Sequence, residues 1–428
     1  MKNFNQYIVN ILKPYRGLNR EIYVLAISRF VNALGALIFP FMTLILSEKI
    51  GLDEVQTGFY TAFAGLLFIP AGLIGGRIAD FFGRKRTIIV FECVGMLTYL
   101  VCVIIEPTML MVYVLMMTAF SFGVAGPAHD AMIADFADEK QREGAYSLMY
   151  LGFNLGFAFS MILAGRLFAN HLKLMFIIDL STTFLALLFI SFLIKEKYEG
   201  ARAKDIIKDT NDDSIVDNEL ETHHKGSIFE VLKERPLLIQ FAVLMFLYRL
   251  VYSQWSFLMP LHTVALFGDE KGGALYGNLG FVNALIVVSL TAIITRMFIK
   301  QTSIVRIVIA GIFLSTGFGL LGIISSPLAF YISVFVFTIG EIIEAISTMP
   351  YIMNHTPESH RGRMSAVIMT VMGVGFSIGP LILGIVLKYT SYSTSWFVTG
   401  ILGFIGVGGM IQLSRKETIQ KRLIKEEA

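Results

Sequence analysis

Apolar residues follow one another along this chain in long runs, each ended by a polar stretch. Twelve of these runs have the ~20 residues that a helix needs to cross a bilayer core of ~30 Å. They lie at about 21–47, 55–79, 87–105, 109–136, 144–168, 172–194, 236–266, 273–298, 303–324, 328–354, 362–388 and 394–414. The pattern predicts an all-α integral membrane protein with twelve transmembrane helices.

One polar stretch, residues 195–235, is much longer than the others. It contains KDTNDDSIVDNELETHHKG, a composition typical of a flexible segment. Because it separates the sixth span from the seventh, we interpret it as a linker. The predicted organisation is a six-helix half over 1–194, the linker over 195–235, and a second half with a polar tail over 236–428.

The two predicted halves resemble each other in sequence. RFVNALGALIFPFMT, which starts at Arg29, and RLVYSQWSFLMPLHT, which starts at Arg249, share an arginine, a proline and a threonine at an offset of 220. At an offset of 219, Gly156 matches Gly375. Parallel six-helix repeats are a transporter architecture, in which the substrate site lies between the halves near the midplane. The repeat therefore predicts two pseudo-symmetric halves.

Composition and charge agree with a membrane protein. Of the 428 residues, 55% are hydrophobic and only 16% are charged, against about 25% charged in soluble domains. The net charge of +3 is too small to indicate a nucleic-acid partner. Cys93 and Cys102 are the only cysteines and lie in one apolar run, so neither a disulfide framework nor a metal site is expected.

The distribution of lysine and arginine predicts an orientation. With a cytoplasmic N-terminus, inward-facing segments hold 28 of the 35 basic residues. The outward-facing segments hold only Lys49, Arg166, Lys173, Lys271 and Lys388. By the positive-inside rule, both termini and the linker are expected in the cytoplasm of a multi-pass cell-membrane protein.

A basic cluster stands between the second and third spans, in GGRIADFFGRKRT (Gly75 to Thr87). Gly76 lets neighbouring helices approach closely, and Gly83 permits a tight reversal. Asp80 can cap the positive N-terminal end of another helix. A merely topogenic loop would explain the basic residues but not the carboxylate and the two glycines.

This stretch resembles the signature G-x-x-x-D-x-x-G-R-K/R of the major facilitator superfamily, with matches at Gly76, Asp80, Gly83, Arg84 and Lys85. The resemblance implies the major facilitator fold, and a latch from Asp80 to the eleventh span near Gly362. Asp135, in HDAMIADFADEKQR, resembles the family acid that pairs with the arginine of the motif. A charge relay from Asp135 to Arg84 is therefore expected, with a solvated helix end as the alternative.

Five ionisable residues lie on the first, fourth, seventh and tenth spans, which line the central cavity in this superfamily. They are Arg29, Asp130, Arg249, Glu341 and Glu344. Charges inside a membrane cost at least ~2.5–3.5 kcal/mol and usually mark function. Glu92 and Asp179 lie on other spans, a few residues from the helix starts, and are expected to be interfacial.

The FTIGEIIEA stretch around Glu341 resembles the tenth helix of a branch of twelve-helix multidrug/proton antiporters, where the glutamate is tied to cationic drug binding and proton exchange. Glu341 and Glu344 lie on one helical face and could share a proton. A fixed ion pair with Arg29 or Arg249 is the alternative. Glu341, Glu344 and Asp130 are the candidates for proton coupling.

The candidate substrate cavity includes Arg29, Arg249, Tyr252, Trp255 and Glu341, which combine charge with an adaptable aromatic surface. The sequence also departs from many superfamily antiporters. Ala119 stands where the fourth span usually carries arginine, and Phe157 stands where the fifth carries proline. These departures leave the direction of transport open.

We therefore expect a proton-coupled secondary transporter that exports lipophilic or cationic compounds, and not an enzyme. The expected partners are a small-molecule substrate, protons and the bilayer. No cofactor is expected, because the proton gradient is the energy source. A monomer is expected. The alternatives are a proton-driven symporter of short peptides or other small solutes, and a lipid or glycolipid flippase. Peptide carriers share the dipeptide Arg29-Phe30, but Leu25 and Ser28 occupy the positions of their acids.

Overall fold

The computed structural model describes residues 15–138, 141–196, 236–323, 326–356 and 361–427, without the side chains of 361–363 and 420–427. These residues form α-helices joined by short turns, and no strand occurs among them. The helices are α1 (Arg20–Leu34), α2 (Ile38–Leu44), α3 (Glu54–Phe82), α4 (Arg84–Ile104), α5 (Met109–Phe136), α6 (Arg142–Leu167), α7 (Leu172–Leu193), α8 (Pro236–Tyr252), α9 (Leu258–Phe298), α10 (Ser303–Leu320), α11 (Pro327–Asn354), α12 (Arg361–Tyr389) and α13 (Tyr392–Glu427). Nearly all of the predicted linker falls outside the described residues.

The helical segments confirm a multi-pass membrane protein. In the described part of the chain, eleven segments are long and apolar enough to cross a membrane. One of them, Pro236–Phe298, has 63 residues, about twice what a single crossing requires. Within it, Gly268 breaks α9 with φ 78° and ψ 168°. This break falls between the predicted seventh and eighth spans; the count of twelve stays a prediction.

The first predicted span is not a continuous α-helix. α1 ends at Leu34, α2 starts at Ile38, and a π-helical turn follows at Ile45–Lys49. At the break, the backbone N–H of Ile38 donates to Oδ2 of Asp179 at 3.3 Å. An unpaired backbone donor in a membrane is costly, so the carboxylate of α7 stabilises the break.

The helices group into two units. The first comprises Met1–Met42 and Leu67–Ser214, and the second Thr43–Leu66 and Ile215–Ala428. In the first unit, α1 packs on α6 and α7, and α4 packs on α5 and α7. In the second unit, α8 packs on α12 and α13, and α10 packs on α11 and α13. Each unit thus contains the same four pairings in the same chain order.

Glycines matched by the repeat lie at corresponding helix contacts. A Cβ on Gly156 of α6 would lie 2.6 Å from the carbonyl oxygen of Phe30 in α1. A Cβ on Gly375 of α12 would lie 2.4 Å from the carbonyl oxygen of Phe246 in α8. Only glycine permits so close a backbone approach between membrane helices. The sequence repeat therefore coincides with a repeat of packing.

Candidate functional site

The second unit holds an ion pair between two of its helices. Nη2 of Arg249, in the last turn of α8, lies 2.9 Å from Oε1 of Glu344 in α11. Glu344 is 1% exposed, and apolar helices surround it. A charge buried in this way is tolerated when an opposite charge pairs with it. For Glu344, the structure therefore selects Arg249 as the ion-pair partner.

Glu341, one turn before Glu344 on α11, has different partners. Its Oε2 accepts a hydrogen bond from Nδ2 of Asn283 in α9 at 2.9 Å. Asn283 also donates to Oγ1 of Thr338 at 2.9 Å, and the Tyr252 hydroxyl faces the Glu341 carboxylate. Hydrogen bonds from neutral groups therefore hold Glu341, on which Arg249 acts only electrostatically, whereas Glu344 forms the direct ion pair with Arg249.

Aromatic side chains lie beside Arg249 and in the turn that follows α8. Cζ of Arg249 lies 5.8 Å from the centre of the Tyr252 ring. Trp255, in the 3-10 turn that follows α8, packs on Tyr276 and Phe337 with ring centres 5.5 and 5.3 Å away. Because Trp255 is 8% exposed, its present contacts are packing contacts.

The first unit contains a cavity of about 210 Å³, lined mainly by apolar side chains together with a few polar and ionisable ones. Arg29 of α1 lines it, and Cζ of that arginine lies 5.1 Å from the centre of the Phe153 ring. His129 of α5 also lines the cavity, while its neighbour Asp130 is exposed and is not among the lining residues. Of the predicted ionisable residues, Arg29 alone lines this cavity, while Arg249, Glu341 and Glu344 belong to the second unit.

Glu92 and Asp179 were predicted to be interfacial, and both side chains face the interior of the first unit. Glu92 is 7% exposed and Asp179 is 5% exposed, and both line the cavity of the first unit. Oε1 of Glu92 lies 2.6 Å from Nε2 of His129. The prediction counted residues from predicted helix starts and took no account of the direction in which each side chain faces.

The basic motif joins α3 to α4 through Gly83, which has a φ of 95°, a conformation that favours glycine. Arg84 forms an ion pair with Asp135 at the end of α5, so the expected partners do meet. Nζ of Lys85 donates to the carbonyl oxygens of Ser191 and Ile194, at 2.7 and 2.6 Å. A cation at these carbonyls stabilises the C-terminal end of α7.

The role predicted for Gly76 was wrong. A Cβ on Gly76 would meet no atom within 4 Å, whereas one on Gly75 would lie 2.1 Å from the carbonyl oxygen of Val124. The close helix approach therefore depends on Gly75, one residue earlier. Asp80 is exposed at the end of α3. Its predicted latch to the region of Gly362 stays a prediction.

Three polar residues of these clusters were missed from the sequence, although their positions carried a signal. His129 and Asn283 interrupt apolar runs, and Tyr99 lies seven residues after Glu92, two helical turns along the same face. Polar groups inside membrane helices usually pair with one another. The interruption of an apolar run is therefore the signal that marks these residues, whereas their partners depend on how the helices pack.

Comparison with known proteins agrees with this architecture. The sequence model of the Major Facilitator Superfamily matches residues 25–380 and 306–427. A Na(+), Li(+), K(+)/H(+) antiporter of Planococcus maritimus is 24% identical over 95% of this chain and 98% of its own length. The class C tetracycline resistance protein of Escherichia coli is 21% identical over 91% of this chain and 94% of its own length.

Solved structures show the same fold. A POT family transporter, solved with a thioalcohol-conjugated peptide, superimposes with a TM-score of 0.76 at 14% identity, covering 94% of this chain and 97% of its own. A nucleoside transporter superimposes with a TM-score of 0.72 at 12% identity, covering 92% of this chain and 99% of its own. The helical membrane architecture therefore defines a transporter fold. The chain belongs to the Major Facilitator Superfamily.

Proposed function

We propose that this chain is a proton-coupled antiporter, which exports lipophilic or cationic compounds by alternating access in exchange for protons. The observation that carries this proposal is the pair of carboxylates on α11. Glu344 has a cationic partner, Arg249, whereas Asn283 and Tyr252 hold Glu341 through neutral groups.

The different partners suggest different roles for the two carboxylates. An arginine keeps its charge, so it favours an ionised Glu344. Neutral donors can hydrogen bond to either form of Glu341, because a protonated carboxyl group still has acceptor capacity. We therefore assign the exchangeable proton to Glu341 and a positioning role to Glu344. Asp130 on α5 is exposed and is not held by buried partners as the two glutamates are. Of the three candidates, its predicted role in proton coupling therefore has the weakest support.

Two relatives support this direction of transport. One full-length relative is named as a cation/proton antiporter and another as a tetracycline resistance protein. Both names are compatible with export, and the first includes protons as the exchanged ion. The likeness to peptide transporters concerns the fold alone, at 14% identity.

We also propose the topology that the positive residues predict. If the 63-residue segment Pro236–Phe298 counts as two crossings, the break at Gly268 separates the seventh span from the eighth and the total becomes twelve. Both termini and the 195–235 linker then face the cytoplasm of the cell membrane. In this orientation, the pair Arg84–Asp135 and the exposed Asp80 lie on the cytoplasmic side, where the latch would act.

A substrate screen on everted membrane vesicles tests the function. A preset pH gradient, acid inside, is followed while lipophilic cations, neutral drugs, alkali cations or dipeptides are added. Collapse of the gradient by lipophilic cations or drugs is the expected result. Collapse of the gradient by alkali cations alone would show that the exported substrate is a metal cation and not a drug. Uptake of dipeptides together with protons would favour the symporter. No response to any compound would contradict the proposal.

A further inference from the structure

The cavity of the first unit has no role in the function proposed above. It is about 210 Å³ in volume and is lined by four groups that can carry charge, Arg29, Glu92, His129 and Asp179, each from a different helix. A water molecule takes ~30 Å³ of liquid volume, so the cavity has room for several waters. Four such groups gathered at one cavity within membrane helices require an explanation, because ionisable residues there are costly and usually functional.

The closest contact in the cavity is a carboxylate–imidazole pair. Nε2 of His129 lies 2.6 Å from Oε1 of Glu92, and the Glu92 side chain is 9% exposed. Glu92 is eight residues beyond the start of α4, a depth of ~12 Å along the helix. An imidazole has an ordinary pKa of ~6.5, so its charge changes within the physiological range. The pair is thus a proton acceptor placed inside the helical unit.

The other charged groups complete a simple charge balance. Arg29 contributes one positive charge, and Glu92 and Asp179 contribute two negative charges when ionised. With His129 neutral, the cavity therefore carries a net charge of about −1, and protonation of His129 makes it neutral. Unbalanced charge in a low-dielectric surrounding is costly, so uptake of one proton is favoured.

Further groups face the same space. Tyr99 of α4 faces the Asp179 carboxylate with its hydroxyl, and Asp179 accepts a hydrogen bond from the backbone of Ile38. The α6 helix contributes Met149 to the lining, which is apolar and adds no titratable group. The titratable groups are therefore Glu92, Tyr99, His129 and Asp179, with the permanent charge of Arg29 beside them.

We propose that the Glu92–His129 pair is a second proton-binding site, which takes up one proton into the cavity of the first unit and exchanges it through water with Asp179. The site is separate from Glu341, which belongs to the other unit. Its part in transport rests on the proposed proton coupling, but its proton uptake does not.

A proton fits this site better than an alkali cation. Hard cations prefer shells of oxygen ligands, whereas the histidine nitrogen occupies one side of Glu92. A proton added to His129 is balanced directly by the Glu92 carboxylate, 2.6 Å away. A monovalent metal ion is accordingly an outcome of the experiment and not part of the proposal.

Proton uptake by the purified full-length protein tests the site without transport. The protein in detergent and weak buffer is titrated from pH 8 to pH 5, the range in which histidine changes charge, and the protons taken up are counted. The variants are His129→Asn, Glu92→Gln and, as a matched control, Glu106→Gln. Glu106 pairs on the surface with Lys173, at 3.0 Å, and is far more exposed than Glu92. Monodispersity in size exclusion shows that each variant is folded.

We expect His129→Asn to lose about one proton of uptake in this range. Glu92→Gln should also change that uptake, because His129 loses the carboxylate that pairs with it. Glu106→Gln should titrate like the wild type. If His129→Asn fails to fold, the changed proton uptake of Glu92→Gln still decides.

Wild-type titration of both cavity variants would overturn the proposal. Proton release on adding NaCl, present in the wild type and absent in Asp179→Asn, would make the cavity a metal-ion site instead. A normal proton count together with absent substrate-driven proton flux would contradict the antiporter and leave the proton site in place. The two proposals can therefore fail separately.

Discussion

At the scale of single residues, two carboxylates one helical turn apart have unlike surroundings. Glu344 is buried against Arg249, and Glu341 is held by Asn283 and faces Tyr252. A buried ion pair fixes geometry at a high cost in desolvation. Glu341 is held by hydrogen bonds and forms no direct ion pair. In the proposed mechanism, Glu344 therefore has a positioning role and Glu341 exchanges the proton.

Arg249→Met should destabilise the protein by about 3–5 kcal/mol, because Glu344 then keeps an uncompensated charge in the membrane interior. Adding Glu344→Gln to Arg249→Met should recover most of that loss, since the unpaired charge is gone. Thermal unfolding of the purified single and double variants measures this coupling. Additive effects of the two substitutions would contradict the ion pair.

Sequence could identify such residues but not their partners. Glu341 and Glu344 were recognisable because an ionisable residue in an apolar run is rare and functional. Asn283 was missed since a single amide in a membrane helix carries little information, and its contact to Glu341 depends on how α9 packs on α11. Glu92 was not recognised as a cavity residue for a related reason: the depth of a residue along a helix does not tell which way its side chain faces.

At the scale of helices, α3 shows how one position decides a contact. Gly75 lies against the carbonyl of Val124, and Gly76 faces open space. Motif matching placed the close approach at Gly76, because the motif aligns residue types and says nothing of the helical face. Conversely, the Gly83 turn and the meeting of Arg84 with Asp135 followed from the motif. Local turn chemistry is readable from sequence, and helix rotation is not.

Gly75→Ala should destabilise the first unit by about 1–3 kcal/mol, because the new methyl group overlaps backbone atoms that cannot move aside. Gly76→Ala is the matched control: alanine favours a helix by roughly 0.5–1 kcal/mol over glycine, and its methyl group meets no neighbour. Thermal unfolding of the two purified variants should therefore move in opposite directions. Equal destabilisation by both would show that the helix face is misassigned.

Asp80→Asn tests the latch. The substitution keeps the size of the side chain and removes a charge worth ~0.3–2 kcal/mol at a helix terminus. Normal insertion, slower transport and greater labelling of the transport cavity from the cytoplasmic side are expected. Asp138→Asn, another exposed acid that follows α5, is the control and should leave all three unchanged. Transport by Asp80→Asn at the wild-type rate would show that Asp80 has no role in gating.

At the scale of the whole molecule, the fold was predictable because long apolar runs leave few alternatives in a bilayer. Matched residues at offsets of 219 and 220 predict two similar halves, and the two units contain corresponding helix pairings. The interruption of the first span at Gly35–Leu37 was not predictable. It depends on Asp179, 141 residues further along the chain, which binds the backbone N–H of Ile38.

Labelling by a membrane-impermeant thiol reagent tests the topology. With Cys93 and Cys102 replaced by alanine, Glu270→Cys should react from outside intact cells, because it follows the break at Gly268. Asp212→Cys, in the linker, should react only after the cells are opened. Labelling of both from the same side would show that the span count is wrong.

The most direct test of the central claim measures substrate export and proton flux together in proteoliposomes that contain Glu341→Gln. Glutamine keeps the shape and hydrogen bonding of the side chain but cannot ionise, so uphill export and substrate-induced proton release should both be lost. Export of cationic substrates should fall more than export of neutral ones, because only cations gain Coulomb energy from the carboxylate. Glu106→Gln, inserted equally well, should retain both activities. An unchanged ratio of protons to substrate in Glu341→Gln would contradict the account.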